Sequence, residues 1–173
     1  MFELLDFDYR YLVQDFVFYG LFFAALAWGA GPERLIATTW LVFFEILPKL
    51  YRAVWSEGYQ LEQVDLFYAA MDGIAAAVWI FVALYANRNY PLVIAAMQLL
   101  VMAAHLARGL IETISPVAYA TMMIAPGWFQ LLILATGLTR HVLRQRRYGP
   151  YREWRLPISF LGRAPSFLGS SKS

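Results

Sequence analysis

Long apolar runs separated by short polar breaks fill this chain from Tyr11 to Leu143. A stretch of about 20 apolar residues, at about 1.5 Å rise each, is long enough to cross a bilayer as a helix. With several such runs in succession, the chain is expected to be an all-α, multi-pass integral membrane protein. Composition agrees, with 61% hydrophobic residues, 15% charged residues and a mean hydropathy of +0.52. Soluble domains are roughly half apolar and a quarter charged. Aromatic residues gather at run ends, as at Tyr9, Tyr11, Trp28, Tyr51, Trp55, Tyr85, Tyr90, Tyr148, Tyr151 and Trp154. That is the belt formed where amphipathic rings meet headgroups.

The breaks divide the apolar domain, 11–143, into five spans. The first covers about 11–29 and stops at Gly29-Ala30-Gly31-Pro32. The second, about 34–52, contains Pro48 and Lys49, and the count falls to four if it does not cross. The third runs over about 64–86 and the fourth over about 91–114, joined by the tight turn Asn87-Arg88-Asn89-Tyr90-Pro91. The fifth, about 116–143, holds Pro126, which removes a helical hydrogen bond and predicts a kink. An acidic N-terminal segment, 1–10, precedes them, and a basic tail, 144–173, follows. The acidic start lacks the positive flank of a secretory signal, so the first span is expected to stay in the mature protein.

Arg144, Arg146, Arg147, Arg152 and Arg155 follow the last span. Positive flanks stay cytoplasmic, which puts the C-terminus inside and, with five spans, the N-terminus outside. The setting this suggests is a bacterial-type inner membrane. Lys49, Arg52 and Arg108 would then lie toward the outer side, against the rule. These tail arginines are expected to contact anionic headgroups rather than nucleic acid, despite the interleaved Tyr148, Tyr151 and Trp154.

Charges inside apolar spans are costly and need partners. Asp65 and Asp72 are seven apart in the third span, as are Gln98, His105 and Glu112 in the fourth. Each set therefore shares a helical face. In an antiparallel hairpin turning near Arg88, residues at one depth have numbers summing to about 177. Asp72 then comes level with His105, and Asp65 with Glu112, with Arg108 one turn away. Glu45, with Lys49 at i+4, falls in the same outer half. Ala69, Gly73 and Ala77 form a small-residue ladder that lets the two helices approach.

Such a cluster serves either as glue between helices or as a proton path. The inner half offers only Gln98 and Gln130 to extend a path. His105 is also a candidate axial ligand for a haem or chlorophyll-type pigment. His141, at the other end of its span, cannot complete a bis-histidine site. There is no cysteine, and no nucleophile elbow, zinc-helix motif, P-loop or dinucleotide fingerprint, so no catalytic function is expected. The tail repeats Ser-Phe-Leu-Gly at 159–162 and 166–169. Phe160, Leu161, Phe167 and Leu168 make paired anchors suited to docking on a partner. The expected role is a small non-catalytic subunit or accessory factor, bound to other membrane subunits or to itself. The alternative is an oligomeric proton- or ion-coupled transporter component.

Overall fold

The structure, a computed structural model, describes residues 2–54, 66–111 and 113–155, with side chains from 12 onward. All regular structure in these residues is helical. The helices are α1 (Phe2–Trp28), α2 (Gly31–Trp40), α3 (Leu47–Val54), α4 (Leu66–Tyr85), α5 (Tyr90–Leu110) and α6 (Pro116–Tyr148). A π-helical turn, Leu41–Ile46, joins α2 to α3 without a break. Asp65, Glu112 and the tail anchors Phe160, Leu161, Phe167 and Leu168 lie outside the described residues.

Helix ends follow local chemistry. The Glu33 carboxylate turns back to accept the Ala30 N–H at 3.1 Å, closing the first turn of α2. Pro91 and Pro116 occupy first-turn positions, where a missing N–H costs nothing. The Ser115 hydroxyl accepts from the Ala118 N–H at 3.2 Å. Gly149, at φ 78°, ends α6 in a conformation that side chains resist.

Two boundaries differ from the sequence reading. Helix α1 begins at Phe2, because residues 2–10 hold no Gly or Pro to stop it. Helix α6 runs on to Tyr148, so Arg144, Arg146 and Arg147 are helical and not part of a loose tail. Helix α6 also continues through Pro126.

Helices α4, α5 and α6 are long and apolar enough to cross a membrane, and Leu12–Trp28 within α1 is a shorter apolar stretch. Helix α5 packs between α4 and α6, while α2 packs on α1, α4 and α6. The core between them centres on Phe18, Ile36, Trp40, Trp79, Ile94 and Leu134. The outward faces are also apolar. Phe16 is 82% exposed, and Leu12, Phe23, Leu84, Leu100 and Leu106 are exposed with it. Exposed apolar surface on this scale suits lipid or protein neighbours, not water.

One end of the molecule collects the α1–α2 connection, the α4–α5 turn and the last turns of α6. Residues 150–155 fold back across it as a strap. The Asn87 N–H donates to the Glu153 carbonyl at 2.9 Å, and the Arg155 N–H donates to the Tyr85 carbonyl at 2.7 Å. We call this the basic end.

Candidate functional site

A chain of hydrogen bonds links α4, α5 and α6 through the core. His105 Nε2 lies 2.8 Å from Asp72 Oδ2, and the Gln98 amide donates to Asp72 Oδ1 at 2.7 Å. On the far side of the imidazole, the Tyr119 hydroxyl lies 2.8 Å from His105 Nδ1. Beyond Gln98, the Gln130 amide donates to Gln98 Oε1 at 2.9 Å. All five residues are buried. If Asp72 is a carboxylate it can only accept, which puts the His105 proton on Nε2 and lets Nδ1 accept from Tyr119. Every bond then has one donor and one acceptor, running from Tyr119 inward to Asp72 and from Gln130 back to it.

The helices bring these groups together by spacing. Gln98 and His105 are two turns apart on one stripe of α5, and Asp72 on α4 lies between them. Gly73 beside Asp72 leaves room, since a Cβ there would meet only the Met102 side chain, at 3.7 Å.

A second network lies under the strap at the basic end. Glu33 is 0% exposed and forms an ion pair with Arg88. Its Oε1 also accepts from the Tyr90 hydroxyl at 2.9 Å. Arg88 Nη2 lies 3.1 Å from His141 Nδ1, and the Tyr151 hydroxyl is 2.9 Å from the same nitrogen. A guanidinium only donates, so His141 Nδ1 must be a lone pair and its proton sits on Nε2. Strap residue Glu153 accepts the Gly31 N–H at 3.0 Å, placing a carboxylate at the start of α2, where it is favoured.

Between the two networks lies an apolar layer. Gln98 stands eight residues beyond Tyr90, or about 12 Å at helical rise. Ile94, Leu131 and Leu134 fill that interval and are fully buried.

A third, smaller cluster sits at the side of the bundle. Glu45, in the π-helical turn, accepts from the Tyr19 hydroxyl at 3.0 Å and pairs with Lys49. Lys49 also lies 3.9 Å from Asp15 and remains half exposed.

The structure thus joins three of the residues singled out in the sequence, Asp72, Gln98 and His105. Glu45 belongs to the separate side cluster. Arg108 donates to the Ile114 carbonyl and lies over the Tyr119 ring. Asp65 and Glu112, its expected partners, fall outside the described residues. Tyr119 was missed, although the depth rule used for α4 and α5 also applies to the α5–α6 hairpin. About its turn near Ile114, residues with numbers summing to about 226 lie level, which brings Tyr119 near His105 and Gln130 near Gln98. The Glu33–Arg88–His141 network was missed because its members read as loop and end residues.

Both ring nitrogens of His105 are engaged, so an axial bond to a haem or pigment iron or magnesium would cost one of these contacts. No group of three or more His, Cys, Asp or Glu placed to hold a metal ion occurs among the described residues. No family model matches the chain, and no curated protein or solved structure does either.

Proposed function

We propose that this protein is a non-catalytic integral membrane subunit or accessory factor of a larger membrane complex. The observation that carries this is the Tyr119–His105–Asp72–Gln98–Gln130 chain, which ties α4, α5 and α6 together. It ends on an amide, which relays protons poorly, and an apolar layer separates it from the basic-end network. Its hydrogen bonds cross between three helices, which suits fixing helix register. The exposed apolar face of α1 supports a neighbour in the membrane plane.

We read the topology as five crossings with the basic end cytoplasmic, in a bacterial-type inner membrane. The alternation of helix ends supports it, since α1, α4 and α6 end and α2 and α5 begin at the basic end. The run from Gly31 to Val54 spans about 36 Å, enough to cross once. Reporter fusions at the two termini test this, and activity of both on one side would refute five crossings.

The role is tested by purification from native membranes in a gentle detergent, with mass spectrometry of co-purifying proteins. A stoichiometric set of membrane partners is expected. A chain that runs alone as a monomer would refute it.

One observation favours a second reading, a proton- or ion-coupled transporter component. Tyr119, His105 and Asp72 form a continuous run of titratable groups, as a proton relay requires. An Asp72→Asn change separates the readings. It keeps the acceptor oxygen and would abolish proton movement in a relay, while leaving partner retention intact in a scaffold.

A further inference from the structure

The basic end carries a charge pattern that the buried networks do not use. Arg140, Arg144, Arg146, Arg147, Arg152 and Arg155 are all exposed. None forms an ion pair with a described carboxylate. The acids at this end are already engaged, Glu33 by Arg88 and Glu153 by the Gly31 N–H. Among the described residues, these six guanidinium groups therefore face outward without a carboxylate partner.

Their placement is fixed. Arg140, Arg144 and Arg147 fall on one face of α6, at i, i+4 and i+7. The Arg144 guanidinium lies 4.2 Å over the Tyr151 ring, which ties the helix to the strap. The strap itself is held to Asn87, Tyr85 and Gly31. Arg152 and Arg155 are thus carried on a docked segment. Helix α6 reaches Arg140 after 24 residues, about 36 Å from its start, beyond the roughly 30 Å of hydrocarbon. A helix of that length can carry the arginines past the hydrocarbon to the depth of phosphates.

We propose that this rim is a binding platform for anionic phospholipid headgroups of the adjoining leaflet. The proposal rests on the membrane reading above and is independent of the partner-complex reading. Guanidinium forks match phosphate oxygens in pairs, and prior placement lowers the ordering cost of binding.

The test uses the full chain, purified in neutral detergent and titrated with short-chain phosphatidylglycerol, phosphatidylcholine or inorganic phosphate. Tryptophan fluorescence reports binding through Trp154, which packs on Gly31. Phosphatidylglycerol is expected to bind and phosphatidylcholine not to. Each basic residue near the surface contributes about fivefold. R140Q/R146Q/R147Q should therefore weaken phosphatidylglycerol binding roughly 100-fold, and R152Q/R155Q roughly 25-fold. The matching triple lysine variant, which keeps the charge but loses the fork, should fall between wild type and the glutamine variant. Equal binding of both lipids, or unchanged affinity in the glutamine variants, would overturn the proposal. So would inorganic phosphate matching the lipid, which would make the rim a site for free anions. A chain that fails to enter vesicles would refute the membrane reading itself, a result separable from lost lipid selectivity.

Discussion

Replacing Asp72 and His105 by leucine, singly and together, probes the central hydrogen-bond chain. Asp72 takes two side-chain donors, from His105 at 2.8 Å and Gln98 at 2.7 Å. Asp72→Leu leaves His105 Nε2 and one Gln98 N–H without that acceptor. At about 1–3 kcal/mol for each of the two buried groups left unsatisfied, the loss is roughly 2–6 kcal/mol. His105→Leu leaves the carboxylate with Gln98 alone. Removing one donor from a buried carboxylate costs about 1–3 kcal/mol. The double change removes both members, so part of the loss should return. Polar pairs between membrane helices couple by about 0.6 kcal/mol on average and about 1.7 kcal/mol at most. A coupling of about 1 kcal/mol is expected here, above the average because Asp72 also anchors Gln98. Equilibrium unfolding in mixed micelles, run on the wild type and three variants, measures it. Additivity of the two losses to within about 0.3 kcal/mol would show that the side chains do not interact and would refute the α4–α5 register.

Arg88→Leu should destabilise the protein by about 3–5 kcal/mol, because it strands the Glu33 carboxylate at 0% exposure, and adding Glu33→Leu should restore part of this in the same unfolding assay. Gly137→Ala should cost about 1–3 kcal/mol, since the new Cβ would stand 2.7–2.9 Å from the Tyr90 ring, whose hydroxyl is fixed on Glu33; an unchanged thermal midpoint would contradict the Tyr90 position.

What the sequence disclosed depended on periodicity. Gln98 and His105 announce a stripe on α5 because seven residues close two helical turns, and the turn at Arg88 fixes which residue of α4 faces them. The Tyr119 end stayed hidden because a tyrosine in an apolar run reads as a belt or core residue. Glu33 lies in the first turn of α2, Arg88 in the α4–α5 turn and His141 two turns before the end of α6, remote in the chain, and no local spacing links them. Their meeting depends on how α1, α2, α4 and α6 pack, which is a tertiary property. The strap was invisible for a related reason. Tyr151-Arg152-Glu153-Trp154 reads as a polar, basic tail, and only the free N–H groups of Gly31 and Asn87 give it somewhere to bind.

The strap also bears on the order in which the molecule is made. Its anchor on Gly31 joins residues 122 positions apart, and its bond to Asn87 joins another distant pair. During synthesis, α2 and the α4–α5 turn leave the ribosome long before Glu153 does. Throughout that interval the Gly31 N–H lacks its carboxylate. The strap contacts therefore form only once residues 150–155 have been made. Without residues 150–155 the Gly31 N–H would lose the Glu153 carboxylate and the Asn87 N–H its carbonyl partner.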